Sequence, residues 1–371
     1  MELKNKNLGL LMTRGMSLSK WDKIGNLDRE IRPYLELSKI FKKIFIFTYG
    51  TRVDLKYQNL LPANIEIICR PKYIPTNLYF FLMPFVWANK FRQTDIIKTN
   101  QMDGSWTGVI AKKLFHKKLI VRCGYEWLNY LQNNKASFYK RWIADLVEGF
   151  SYKNADKIII TSNEDKSFIE NRFKINPTKI IVVRNYIDTN QFKPDKNIVK
   201  DAKRIIFVGR LHKDKNLFLL LESLKDVDCR LIIIGSGPQE KEIINKANKL
   251  NIDIEMLGKV SQKDLPTELQ KSSIFVLVSK SEGNPKALLE AMSCGLACIG
   301  ADVKGIKEVI NDNEDGLLTE LSMESLKNKI KILLENVDLR DKLGSSAEAK
   351  ILRDYSLSAI LSKEIDIYQN L

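Results

Sequence analysis

The chain has 371 residues, 44% apolar and 28% charged, which suits two globular domains of roughly 150–200 residues. Its five cysteines (69, 123, 229, 294, 298) show neither a paired framework nor zinc spacing, no run reaches the about 18 apolar residues of a membrane span, and the charged start MELKNKNLGLLMTRG lacks a secretory signal, so a cytoplasmic, metal-free protein is expected. The net charge of +15 lies wholly in residues 1–190, with 32 Lys and Arg against 17 Asp and Glu, while residues 191–371 hold 28 of each, which points to an anionic partner for the first half.

In chain order the first half reads as strands at 8–13, 44–49, 65–69, 95–99, 118–123, 157–162 and 179–184, with helix-period segments at 26–40, 104–115, 136–153 and 164–173. Within it, the aromatic segment YIPTNLYFFLMPFVWANKFR, 73–92, reads either as a core helix or as a helix lying on an anionic membrane surface through its apolar bulk, Lys90 and Arg92. The second half repeats the scheme with strands at 204–209, 229–235, 254–257, 274–279 and 296–300, and helices near 216–225, 239–250, 263–271 and 285–293. Beyond 320 the pattern is helical and ends in the amphipathic SLSAILSKEIDIYQNL. Continuous β-branched strands with helical crossovers imply parallel sheets covered on both faces. The expected fold is α/β, with two doubly wound domains facing a cleft: an N-terminal domain 1–185, a linker 186–203 and a C-terminal domain 204–352. A final helix, 353–371, is expected to pack back on the first domain.

Chemistry concentrates in three places. In SEGNPKALLEAMSCG, 281–295, Asn284 is a candidate helix cap and Pro285 a first helical residue, which puts Glu282 on a loop and Glu290 about one and a half turns into the helix. Glu290 then either faces water beside Lys286 or points at a ligand. In FVGRLHKDKN, 207–216, Arg210 follows a strand and Lys215 precedes a helix, where cations and free backbone N–H groups converge on phosphate. IIIGSGPQE, 232–240, starts like a dinucleotide loop, but its third glycine position is Glu240, and no P-loop signature exists.

Taken together, Glu282 to Glu290, the G-R-x4-K of Gly209, Arg210 and Lys215, the IIGSGP strand end, LGKV at 257–260 and NYIDTNQFKP resemble the GT-B-fold retaining glycosyltransferases of family four. The resemblance is dense over 180–320 and loose before it. It implies sugar transfer from a nucleotide sugar, UDP- or GDP-linked, with no separate cofactor and no metal. Arg210 and Lys215 would hold the diphosphate, Glu282 the transferred sugar and Glu290 the ribose hydroxyls. The backbone over Gly283, Asn284, Pro285, Lys286 and Ala287 would meet sugar and phosphate through its N–H groups, which Pro285 alone of the five lacks, and Val260 would meet the base.

For the first half the resemblance implies acceptor binding. In RGMSLSKWDKIGNLDRE, 14–30, Gly25 would let backbone approach the donor phosphate, although the stretch also reads as a simple start of a helix. The family's usual histidine after a mid-domain strand is missing: IVRCGYEW, 120–127, offers Arg122, Tyr125 and Glu126 instead. A lipid-linked glycan acceptor at the inner face of an anionic membrane accounts for the basic first half and implies surface polysaccharide or glycoconjugate synthesis. A nucleotide-sugar epimerase of the same fold is the enzyme alternative. A nucleic-acid partner is not expected, because no recognition motif, zinc spacing or long basic helix is present.

Overall fold

The protein is described from a computed structural model, which describes residues 2–124 and 137–371. The chain divides into two compact units, Met1–Asn185 with Ile360–Leu371, and Tyr186–Ala359.

In the first unit, strands β1 (Asn7–Leu11), β2 (Lys43–Phe47), β3 (Ile65–Ile68), β4 (Ile96–Thr99), β5 (Lys118–Cys123), β6 (Lys157–Ile160) and β7 (Ile180–Val182) form a parallel sheet in the order β3-β2-β1-β4-β5-β6-β7. The runs are near-continuously buried, as in β2 with Ile44, Phe45, Ile46 and Phe47, because helices cover both faces of such a sheet. The second unit repeats this plan with β8 (Asp201–Val208), β9 (Arg230–Ile234), β10 (Asp253–Gly258), β11 (Ser272–Leu277), β12 (Ala297–Ala301) and β13 (Leu317–Thr319), in the order β10-β9-β8-β11-β12-β13. In both sheets the strand order reverses beside the unit's first strand, between β1 and β4 and between β8 and β11. Ligands of doubly wound sheets bind at such reversals, beyond the carboxyl ends of the strands.

The expected strands and helices are present, with four differences. Strand β13, the 3-10 segment Arg52–Leu60 and the short helix Lys304–Lys307 were not expected. The stretch 186–203 is no free linker: Ile187 and Phe192 are buried in the core of the second unit, and β8 already begins at Asp201. The final helix is Leu357–Gln369, and from Ile360 onward it belongs to the first unit, where Lys98 Nζ of β4 donates to Glu364 Oε2 at 2.6 Å and Tyr368 Oη donates to the same oxygen at 3.0 Å. Finally, the segment 73–92 is both a core helix and an exposed one. Tyr79, Phe80 and Met83 of the helix Thr76–Val86 are buried, while Leu78, Phe81, Leu82 and Phe85 are exposed.

Candidate active site

Strand β8 ends at Val208, and the loop that follows turns through the 3-10 segment Lys213–Lys215 and a left-handed Asn216 (φ 56°) into the helix Leu217–Leu224. Strand β11 ends at Leu277, and its loop leads to the helix Lys286–Ser293. These two loops flank the strand reversal of the second unit, and they bond to each other. Lys215 Nζ donates to Glu282 Oε1 at 2.5 Å, Ser279 Oγ donates to the same oxygen at 2.7 Å, and the Lys280 N–H donates to the Asp214 carbonyl at 2.8 Å. Both charged side chains are largely buried, at 13% and 12% exposure, so the pair is shielded from water and its charge–charge attraction is strong. Partial burial acts to raise the Asp214 carboxyl, but the His212 hydrogen bond and the Lys215 charge outweigh it and hold it below its usual value. Arg210 is exposed beside this cluster in sequence, at the carboxyl end of β8.

The glycines of IIIGSGP have a packing task. A Cβ on Gly235, whose φ is +139°, would lie 1.8 Å from the Gly209 carbonyl oxygen, and one on Gly237 would lie 2.3 Å from that of Leu211. Without side chains the two loops lie backbone to backbone, with the Leu211 N–H donating to the Ser236 carbonyl at 3.1 Å and the Gln239 N–H to the Leu211 carbonyl at 3.2 Å. The loop after β9 is therefore the brace of the Arg210 loop. A third glycine, Gly305, was missed in the sequence: a Cβ there would meet the Glu282 carbonyl oxygen at 1.9 Å, so the start of the helix Lys304–Lys307 supports the Glu282 loop.

Pro285, not Asn284, caps the helix Lys286–Ser293, and Lys286 is its first residue. Glu290 is buried at 3% exposure, which overturns the water-facing reading, although it does pair with Lys286 at 2.9 Å. The pair forms because residues four apart share a helix face. Lys286 also donates to Gln262 Oε1 at 3.3 Å, which ties the start of this helix to the segment after β10. Val260, in that segment, is partly buried against the core of the second unit, and Gly283 and Ala287 flank the helix start, where backbone N–H groups and the helix dipole favour anions.

In the first unit, Gly25 (φ +70°) ends the helix Leu18–Lys23, its N–H donating to the Asp22 carbonyl at 2.9 Å. It lies between two helices. The loop that follows β1 holds Gly15 instead, with φ +74°. That loop is fixed by the buried Asp54, whose carboxylate accepts from the Leu18 and Ser19 N–H groups at 3.0 and 3.1 Å and from Thr48 Oγ1 at 2.7 Å. At the strand reversal of this sheet, Arg14 pairs with Asp103 at 3.0 Å, and its guanidinium lies 5.7 Å and 5.6 Å from the ring centres of Phe80 and Trp106. Arg14 carries no local signal in the sequence, because its partners lie on distant segments. Arg122, at the end of β5, is half-buried and donates to Asn185 Oδ1 at 2.7 Å and the Asn100 carbonyl at 3.3 Å. Tyr125 and Glu126 lie outside the described residues. Among the described residues, no group of three or more His, Cys, Asp or Glu side chains is placed to hold a metal ion, and no helix is long and apolar enough to cross a membrane.

Known proteins match both units. The family described as "Glycosyl transferases group 1" matches residues 188–350, and "Glycosyltransferase Family 4" matches residues 43–191. The chain is 26% identical over 363 residues, 85% of its own length and 92% of the relative's, to an Escherichia coli protein named UDP-Gal:alpha-D-GlcNAc-diphosphoundecaprenol alpha-1,3-galactosyltransferase. It is 27% identical, over 74% of its length and 77% of the relative's, to a Campylobacter jejuni protein named N-acetylgalactosamine-N,N'-diacetylbacillosaminyl-diphospho-undecaprenol 4-alpha-N-acetylgalactosaminyltransferase. In fold it is similar to Anabaena HepE solved with UDP, at a TM-score of 0.75 and 17% identity, covering 99% of this chain and 100% of the other.

Proposed function

We propose, from the premise that the chain belongs to the family-four glycosyltransferases and has their GT-B fold, that this sugar-transferring enzyme uses a nucleoside-diphosphate hexose as donor and a lipid-linked glycan as acceptor. The observation that carries the donor reading is the Lys215–Glu282 pair at the strand reversal of the second unit. Lys215 and Arg210 meet the diphosphate and stabilise the charge that grows on it as the sugar departs, which needs no proton transfer and no metal. Glu282 positions Lys215 through their shared hydrogen bond and meets the transferred sugar. Glu290 accepts from ribose hydroxyls, and the N–H groups at the start of the helix Lys286–Ser293 bind phosphate and sugar oxygens. Attack from the leaving-group face retains the anomeric configuration.

The donor name of the Escherichia coli relative favours uridine over guanosine, and the acceptor names of both relatives favour a diphosphate-linked polyprenyl glycan. Arg14 and Arg122, at carboxyl ends of strands in the basic first unit, are the cations suited to such an acceptor, at the inner face of an anionic membrane. The epimerase alternative is not favoured, since these relatives are named as transferases. A thermal-shift screen tests the donor reading. A ligand present at 100 times its Kd stabilises the native state by about 2.7 kcal/mol. UDP should therefore raise the melting temperature, and a screen in which no nucleoside diphosphate does so refutes the reading.

A further inference from the structure

The helix Phe138–Asn154 has two apolar faces. Ala144, Ser151 and Tyr152 are buried against the first unit. On the opposite side Tyr139, Trp142, Leu146 and Phe150 are 67%, 50%, 51% and 44% exposed. Their spacing of three and four residues sets them in one stripe, the face that a surface helix ordinarily turns to the core. The helix Thr76–Val86 repeats this arrangement with exposed Leu78, Phe81, Leu82 and Phe85, again three and four residues apart.

The helix Ser105–Phe115 packs between the two. Thr107 Oγ1 donates to the Phe80 carbonyl at 2.7 Å, Ser105 Oγ to Ser151 Oγ at 2.6 Å, and Lys112 Nζ to the Asn154 carbonyl at 2.9 Å. All three helices therefore cover one flank of the first sheet, and the stripes share that flank. Exposed apolar area of this kind marks a docking surface.

Charge selects the occupant. Residues 76–93, 105–115 and 138–154 carry seven lysines and arginines against two acids, Asp145 and Glu148. Asp145 is held by Arg172 in two hydrogen bonds of 2.9 Å, and Glu148 is buried. The acids are spent, and exposed cations stand among the apolar side chains: Lys113 Nζ lies 5.4 Å from the centre of the Phe150 ring, and exposed Lys153 follows on the same helix. A second copy of this flank would bring like charges together and be repelled. An anionic bilayer takes both components, with aromatic rings at the level of the headgroups and cations against phosphate.

We propose that this three-helix flank of the first unit docks on an anionic lipid bilayer, with the stripe of the helix Phe138–Asn154 inserting beside that of Thr76–Val86. The proposal deepens the lipid-linked acceptor reading and rests on it for its purpose. Helices that follow parallel strands begin at the carboxyl edge of the sheet, so Tyr139 and Trp142, in the first turns of their helix, lie toward the edge that carries Arg14 and Arg122. Docking would hold that edge near the bilayer, where the anionic head of an embedded acceptor lies.

The experiment is cosedimentation of the full chain with phosphatidylglycerol–phosphatidylcholine vesicles and with pure phosphatidylcholine vesicles, neither holding acceptor. The chain should pellet with the anionic vesicles only, and the triple variant Tyr139→Ser, Trp142→Ser, Phe150→Ser should partition about tenfold more weakly or worse while keeping its melting temperature. Bromine-labelled lipid chains should quench tryptophan emission of the unaltered chain, and Trp142→Phe should abolish most of that quenching, a readout that survives if the triple variant unfolds. Absent binding, equal binding to both vesicle types, or unchanged partitioning and quenching in the variants overturns the proposal. A UDP thermal shift on the same samples keeps the two readings apart: vesicle binding without a shift fails the donor reading alone, and a shift without vesicle binding fails the docking alone.

Discussion

Glu290 is a buried carboxylate that shares a helix face with Lys286. Its place on the helix and its closeness to Lys286 follow from the spacing of four, but its burial depends on the packing of the helix Lys286–Ser293 against β11 and β12, which no local pattern encodes. Glu290→Ala should weaken UDP binding by about 1.5–3 kcal/mol, the worth of hydrogen bonds to a charged group, with the fold retained. Calorimetric titration measures this, and unchanged affinity would leave Glu290 with a structural role only. Gly235 makes a second residue-scale case. Any side chain there meets the Gly209 carbonyl, so Gly235→Ala should cost at least about 1–3 kcal/mol of stability in chemical denaturation. A stability within experimental error of the parent would contradict the backbone-to-backbone brace. Arg14 and Asp103 were illegible for a different reason: their pairing exists only once β1 and β4 lie side by side.

At the scale of elements, the strands were readable because parallel strands buried on both faces become continuous apolar runs. Strand β13 escaped because Leu317–Thr319 is a three-residue edge strand with no run to read. The final helix was legible as amphipathic, yet the ion pair that fastens it was not. Lys98 and Glu364 are both buried, with side chains 3% and 7% exposed. Removing one partner of such a pair leaves the other charge unpaired in the interior, so Glu364→Ala should cost about 3–5 kcal/mol, and Lys98→Met with Glu364→Leu should recover most of it. Burial opposes the Glu364 charge, but Lys98, Arg122 and the Tyr368 hydroxyl outweigh it and hold the carboxyl below its ordinary 4.5. A carboxyl lower in the native than in the unfolded chain stabilises the native state in full above the unfolded value and loses that contribution as pH falls through the native one. Denaturation midpoints below pH 4.5 should therefore fall more steeply in the parent than in the double variant. Parallel slopes would assign the acid sensitivity to other groups.

For the whole molecule, the two units use one strand order, and each sets charged side chains at its strand reversal: Arg14 and Asp103 in the first, Lys215 and Glu282 in the second. The basic excess confined to residues 1–190 distinguishes the units where topology does not, and the exposed aromatic stripes of the first unit add an apolar surface to that charge. The architecture was readable from alternating strand and helix patterns. The brace glycines, the cap at Pro285 and the Arg14–Asp103 pair required the fold. The central claim is that Lys215 stabilises charge developing on a departing nucleoside diphosphate. Initial-rate kinetics of sugar transfer to a polyprenyl-diphosphate-linked acceptor, compared between the parent and Lys215→Met, test it most directly. Loss of one preorganised group of this kind lowers kcat by about 10²–10³-fold, and the account predicts such a fall with a much smaller change in the donor KM. A variant that keeps the parental kcat and changes KM alone would contradict it.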